Sequence, residues 1–222
     1  AGARRVGWAA SMEDALGPED LFDLTGCVAV VTGSSGWLGT AMVGALAGAG
    51  AHVVAVSRDG TKAAQALEHL TGGPGEVEIR SCDITTEDWA TLVATVSSEH
   101  GRLDVLVNNA HVGRGGSLRL AVEADYREAI DLAIVASSSG INAARAGFLA
   151  SVAAGGSPSV INISSMYGLV SPDPRLYDAE ESRNPPFYGV AKAGMLQLTR
   201  SAAAELGPLG ATVDAAPPGP SP

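Results

Sequence analysis

The chain has 222 residues, 46% hydrophobic and 17% charged, proportions that suit one α/β-sized domain with a substantial core. A net charge of −10 argues against a nucleic-acid partner, whose phosphates would be repelled, and no apolar run approaches the ~18 residues of a membrane span. Cys27 and Cys82, the two cysteines, form neither a disulfide framework nor a metal-ligand pattern, so the expectation is a cytoplasmic protein without a metal.

Residues 1–20 read as a poorly ordered lead-in, where Glu13, Asp14, Glu19 and Asp20 break any basic-then-apolar signal pattern. From 21 to 222 a short apolar strand followed by an Ala/Leu-rich helix recurs. Residues 27–31 (CVAVV) predict the first strand and 38–49 its helix, with Gly50 at the C-terminal stop. The second strand spans 51–56, its helix 61–70, and TGGPG at 71–75 is a turn. The third strand covers 76–82, after which Thr85 and Asp88 resemble a capping box opening a helix that runs to about residue 100. Strands at 103–107, 159–163 and 211–215 alternate with long helices at 123–153 and 187–206. This alternation predicts an α/β fold, a Rossmann-type doubly wound parallel sheet in three layers with strands buried on both faces. Ligands in such sheets sit beyond the carboxyl ends of the strands.

The chemistry starts at 32–39, Thr-Gly-Ser-Ser-Gly-Trp-Leu-Gly, between the first strand and its helix. Gly33 permits a tight turn, Gly36 a close backbone approach to a pyrophosphate, and Gly39 close helix–strand packing; the helix N-terminus offers N–H groups to the phosphates. A carboxylate at the end of the second strand would bind the ribose of NAD. Ser57 stands there instead, with Arg58 after it, and a guanidinium suits a 2′-phosphate. The expected cofactor is therefore NADP(H), with NAD(H) the alternative if Arg58 is merely solvated and Asp59 takes the ribose.

These residues, with several others in order, resemble the short-chain dehydrogenase/reductase family from about residue 21 onward. Cys82-Asp83-Ile84 is similar to the segment flanking the adenine ring, Asn108-Asn109-Ala110 to the family's Asn-Asn-Ala-Gly, and Pro218-Gly219 to its Pro-Gly after the sixth strand. Ser164-Ser165 follows the fifth strand as the family's catalytic serine does, and Tyr188 through Lys192 reads Tyr-x-x-x-Lys. The resemblance implies a cofactor held by Gly33, Ser35, Gly36, Leu38, Gly39, Ser57, Arg58, Asp83, Ile84, Asn109, Ala110, Tyr188, Lys192, Pro218 and Gly219. It implies catalysis by Ser165, Tyr188 and Lys192, and a homodimer or homotetramer built on the helices at 123–153 and 187–206. Four residues apart on a helix, Tyr188 and Lys192 share a face. Tyrosine is a poor acid–base at neutral pH, and a neighbouring ammonium favours its phenolate. Tyr188 would exchange a proton with a ketone or alcohol oxygen while Ser165 polarises it. The rival tyrosines Tyr167 and Tyr177 have no lysine four residues on; Tyr167 reads as packing or a pocket wall.

Four features depart from the family pattern. The span from Ser165 to Tyr188 is about ten residues longer than usual, and the excess, 171–186, reads as an active-site insertion. Sugar- and polyol-type members carry a similar segment, so the resemblance implies a small-molecule substrate of the sugar or polyol type. Arg175 and Arg183 either meet an acidic substrate or, as we expect, pair with Asp178, Glu180 and Glu181. His111 stands where the family has glycine and is either a loop residue or a pocket residue. Ala133 takes the place of the family's catalytic asparagine, leaving a relay through Ser137–Ser139 or water. The chain stops just after Pro218-Gly219, where members of the family continue. These last points leave an alternative open: a member with non-redox activity (dehydratase, epimerase or cyclase-like), or a cofactor-binding pseudoenzyme.

Overall fold

A computed structural model describes residues 21–219, apart from 71 and 112, and the lead-in expected at 1–20 lies outside it. Six parallel strands form one sheet: β1 (Val28–Thr32), β2 (His52–Ser57), β3 (Glu76–Ser81), β4 (Val105–Asn108), β5 (Ser159–Ile163) and β6 (Thr212–Ala216). Their spatial order is β3-β2-β1-β4-β5-β6, the doubly wound arrangement expected from the alternation. The order reverses between β1 and β4, so the crevice for a ligand opens beyond those two strands.

The helices are α1 (Trp37–Gly48), α2 (Gly60–Leu67), α3 (Asp88–Glu99), α4 (Glu123–Ile130), α5 (Ala136–Ala153) and α6 (Pro186–Leu206). Side chains alternate across each strand, which splits the core in two. Val28, Val30, Val54, Val56 and Leu106 pack with α3, α5 and the end of α6. Ala29, Val31, Val53 and Ala55 pack with Val43 and Ala47 of α1 and Leu67 of α2. Both faces of the central strands are thus dry, as their β-branched runs predict.

Three local expectations are corrected. The helix expected over 123–153 is not continuous: a π-helical turn at Asp131–Val135 joins α4 to α5, with the Ala136 N–H bonded to the Asp131 carbonyl. Thr85 and Asp88 form no capping box. The Asp83 carboxylate takes both the Thr85 N–H and its hydroxyl, and α3 starts only at Asp88. Finally, β3 is an outer strand rather than one buried on both faces: Val77 and Ile79 join the α1–α2 core, while Glu76, Glu78 and Arg80 alternate with them on the opposite face.

At the amino ends of the strands, Asp104 is 4% exposed and knits the sheet together. Its carboxylate accepts from the Val28 N–H (2.9 Å), twice from Arg102 (2.8 and 2.6 Å) and from the Ser151 hydroxyl. Burial pushes this carboxyl up, but the Arg102, Ser151 and Val28 hydrogen bonds outweigh it and hold it below the usual carboxylate range.

Candidate active site

The loop after β1 has one residue with a left-handed backbone, Gly33 at φ +66°. A Cβ there would sit 2.9 Å from Asn109 Nδ2 and 3.0 Å from Ala110 Cα, so only glycine lets the end of β4 close against the loop. Asn109 secures that closure, its amide donating to the carbonyls of Thr32 (2.9 Å) and Gly33 (3.2 Å). A Cβ on Gly39 would overlap the Gly33 carbonyl, the close helix–strand approach expected of that position. Gly36 is the N-cap of α1 and no side chain caps that helix. The first-turn N–H groups of α1 therefore have no side-chain partner where an anion would be held.

A cleft of about 620 Å³ opens from this loop. Gly33, Ser35, Gly36, Leu38 and Gly39 line its first side; Ser57, Arg58, Ile84, Asn109 and Ala110 line the rest. Ten of the residues expected at the cofactor are thus brought together. Asp83 is not among the lining residues, its carboxylate being turned back onto Thr85. Pro218 and Gly219 also lie off this cleft; the Pro218 carbonyl instead accepts from the Met166 N–H at 3.1 Å, tying the segment after β6 to the turn after β5.

The one carboxylate at the second-strand end, Asp59, borders the cleft and is turned onto α2. The Asp59 side chain caps α2 by accepting from the Lys62 N–H at 3.0 Å. Ser57 and Ser35 hydroxyls meet at 3.1 Å across the mouth of the loop. Lys62 lines the cleft beside Arg58, a second cation that the sequence reading missed. The signal was available: Arg58 and Lys62 are four residues apart, one just before and one just inside a capped helix. The donor set of an uncapped helix end, a glycine cradle and two cations fits a dinucleotide with an additional phosphate.

The second half of the site is assembled by β5 and α6. The Ser164 hydroxyl donates to the Lys192 carbonyl at 2.9 Å, and a Cβ on Gly168 would press on the Lys192 and Ala193 backbone. The turn after Ser165 is thereby docked on the segment that carries Tyr188 and Lys192. Ser165 is almost fully buried, its Oγ accepting from the Tyr167 N–H at 3.2 Å. Lys192 is 2% exposed; its Nζ donates to the Ile163 carbonyl at 2.6 Å and lies 5.6 Å from the centre of the Tyr188 ring. Burial brings the Lys192 pKa down to about 8.

His111 is a pocket residue: it lines the cleft and meets the Tyr188 ring edge-on at 6.2 Å. His111 keeps an exposed edge; partial desolvation within the cleft first, then the Lys192 charge, lower its pKa against a hydrogen bond with the Asn109 backbone. Ala133 packs with Ala129, Phe187, Ala191 and Met195, so the π turn presents a methyl group, not a polar one, to α6.

A second cavity, also about 620 Å³, lies between the turn after β5, the insertion and α6. Its walls are largely apolar, including Leu169, Val170, Pro172 and Val190, and Tyr167 is indeed a wall. The Tyr167 and Tyr177 hydroxyls meet at 3.1 Å, and that hydrogen bond together with burial pushes Tyr167 up, so it stays protonated. The expected arginine pairing is corrected. Arg175 pairs with Asp173 at 2.7 Å, and Glu180 is taken by Arg119 and Ser117. Among the described residues Arg183 forms no ion pair, and its Nε and Asn184 Oδ1 are buried without partners at this cavity.

A switch-point cleft with a glycine cradle, beside a serine turn and a Tyr-x-x-x-Lys helix, defines a nucleotide-dependent oxidoreductase. A family model described as short chain dehydrogenase matches residues 27–221. Trans-4-hydroxycyclohexanecarboxylate dehydrogenase of Sinomonas cyclohexanicum is 33% identical over 199 residues, covering 86% of this chain and 71% of that protein. Galactitol 2-dehydrogenase of Rhizobium johnstonii is likewise 33% identical over 199 residues, 89% of this chain and 72% of that one. Among solved structures, the Pseudomonas aeruginosa RhlG/NADP active-site complex superposes with a TM-score of 0.78 at 28% identity, covering 90% of this chain and 75% of that one. A metagenomic short-chain oxidoreductase in complex with NADP gives 0.73 at 35% identity, with 89% and 84% covered. The chain belongs to the short-chain dehydrogenase/reductase family, the NAD(P)-dependent oxidoreductases of alcohols and ketones. Among the described residues no helix is long and apolar enough to cross a membrane.

Proposed function

We propose that this chain uses NADP(H) in preference to NAD(H) and interconverts a ketone and a secondary alcohol through Ser165, Tyr188 and Lys192. The observation that carries the proposal is the buried Lys192 ammonium, fixed on the Ile163 carbonyl and facing the Tyr188 ring behind the docked serine turn. When bound, the dinucleotide supplies or accepts the hydride. Ser165 donates a hydrogen bond to the substrate oxygen, and Tyr188 gives that oxygen its proton in reduction or removes it in oxidation. The charge of Lys192 stabilises the phenolate left on Tyr188. Arg58 and Lys62 support the 2′-phosphate preference, since the one carboxylate near the ribose position, Asp59, is spent on the α2 cap. Both relatives named above are dehydrogenases, which favours the redox reading over the non-redox alternative.

The cavity beside the serine turn is the proposed substrate site. Its apolar walls suit a ring or chain, and the unpartnered Arg183 Nε and Asn184 Oδ1 suit a carboxylate or hydroxyl on it. The hydroxycyclohexanecarboxylate and galactitol relatives set the panel: 4-oxocyclohexanecarboxylate, plain cyclohexanone and a keto-hexitol, each with NADPH and NADH. Oxidation of NADPH by at least one, lost in Tyr188→Phe with cofactor affinity retained, is the expected result. Binding of NADPH without turnover on any ketone, or full activity in Tyr188→Phe, would overturn it. We also infer a cytoplasmic homodimer or homotetramer through α5 and α6. Unpaired Cys27 and Cys82 support the compartment, and light scattering on the purified chain tests the assembly.

A further inference from the structure

The polar face of β3 has a partner set that no part of the redox site uses. His52 opens β2 directly beside Glu76, and His100 ends α3 above them. The His52 ring places Nδ1 3.1 Å from Glu76 Oε2 and Nε2 3.3 Å from Glu78 Oε2. His100 Nε2 lies 3.9 Å from the same Glu78 oxygen, and the two imidazole rings are 4.4 Å apart between centroids. One ligand atom from each of His52, Glu78 and His100 falls within 4.8 Å of the others.

We propose that His52, Glu78 and His100 bind a divalent transition-metal ion of the zinc type at the amino-terminal side of the sheet. Tetrahedral zinc at bonds of about 2.1 Å sets its ligands about 3.4 Å apart. The His52–Glu78 pair is at that separation already, the His100–Glu78 pair at 3.9 Å is about half an ångström beyond it, and the His100 side chain, a quarter exposed at the end of α3, can turn to close that gap. The surroundings match those of a bound metal. Glu76 Oε2 lies 3.1 Å from His52 Nδ1 and can accept from it, an arrangement that would orient the ring and leave Nε2 for a metal. Arg80 holds the other Glu78 oxygen, Oε1, and is itself balanced by Glu99 at 2.8 Å. The two imidazoles and the Glu78 carboxylate thus converge on one point, with a second carboxylate, Glu76, on the far nitrogen of His52. A cavity of about 380 Å³, bordered by His52, Glu76, His100, Cys27 and Arg102, adjoins the cluster and would admit a water to the ion. The ion would join the end of α3 to β2 and β3, away from the cofactor cleft at the carboxyl ends.

The test uses the tag-free chain, stripped with chelator and titrated by calorimetry with zinc chloride alone, then with cobalt chloride followed by visible absorption. The expected result is one equivalent of zinc, a zinc-dependent rise in Tm, and a tetrahedral cobalt spectrum without a thiolate charge-transfer band. His52→Ala and His100→Ala should each weaken zinc binding at least about a hundredfold, and Glu76→Gln about tenfold to a hundredfold as an orienting partner. NADPH affinity, expected unchanged, reports that each variant is folded. No saturable zinc binding by the unaltered chain overturns the proposal, a result that needs no variant. So does binding that survives both histidine substitutions, or a thiolate band that would move the metal to a cysteine.

Discussion

Replacing Lys192 with methionine should give a more stable protein with little turnover. The ammonium is 2% exposed and has one hydrogen bond, to the Ile163 carbonyl. Burial takes its pKa from 10.5 to about 8. At about 1.36 kcal/mol per pH unit, this is a folding cost of about 3 kcal/mol at pH 7, where the lysine is protonated both folded and unfolded. Methionine fills similar space without charge but leaves the carbonyl without that donor, which returns about 1 kcal/mol. The net gain of about 2 kcal/mol corresponds to a rise in Tm of about 4–8 °C for a domain of this size. The sign with pH is fixed. The cost is fully present below about pH 8, and it fades as pH rises towards 10.5 because the folded protein sheds this proton before the unfolded one does. The stability gap between the variant and the original should therefore shrink over that interval. Thermal melts without cofactor at pH 7 and pH 10 measure the gap, and ketone-dependent NADPH oxidation should fall by about 10²–10⁴. A variant less stable at pH 7, or a gap that does not change with pH, would show that Lys192 is not held as a costly buried charge.

Arg58→Ala combined with Lys62→Ala should weaken NADPH binding by about tenfold to a hundredfold and leave NADH binding nearly unchanged, read by fluorescence titration of each cofactor. Equal losses for both cofactors would mean that the two cations hold the pyrophosphate or nothing at all. Asp104→Ala strands the Val28 N–H, Arg102 and Ser151 together, and should cost about 3–5 kcal/mol in urea unfolding at pH 7. Because hydrogen bonds hold the Asp104 carboxyl below its unfolded value, that contribution is present above about pH 4 and is lost as pH falls through the folded pKa, so the two proteins should converge in acid.

The sheet was legible because its central strands are uninterrupted β-branched runs, and β5 was expected at its observed bounds. The glycine loop was legible because Gly33 and Gly39 answer steric demands from neighbouring backbone, at Ala110 and at Gly33 itself. What escaped depends on neighbours remote in sequence or on competition at one turn. Nothing in 131–135 marks a π turn, since a helix-forming run can absorb an extra residue only where packing rewards it. Thr85 suits an N-cap, but Asp83, two residues before it, takes both its N–H and its hydroxyl. In the sequence Asp59 reads only as an alternative ribose ligand, and its role as the α2 cap shows only in the bond from the Lys62 N–H. The histidine–carboxylate cluster was invisible because His52 and Glu78 are 26 residues apart and meet only through strand pairing.

As the outermost strand, β3 leaves one line of backbone groups open to pairing with any extended chain in solution. A strand adding there would lay its own residues beside Glu76, Glu78 and Arg80 and would have to match their charges in register. Few unfolded segments can do so, and the row thereby acts as a guard against edge-to-edge aggregation. Apolar substitutions at Glu76 or Glu78 would remove that guard while leaving the catalytic machinery at the far end of the sheet intact.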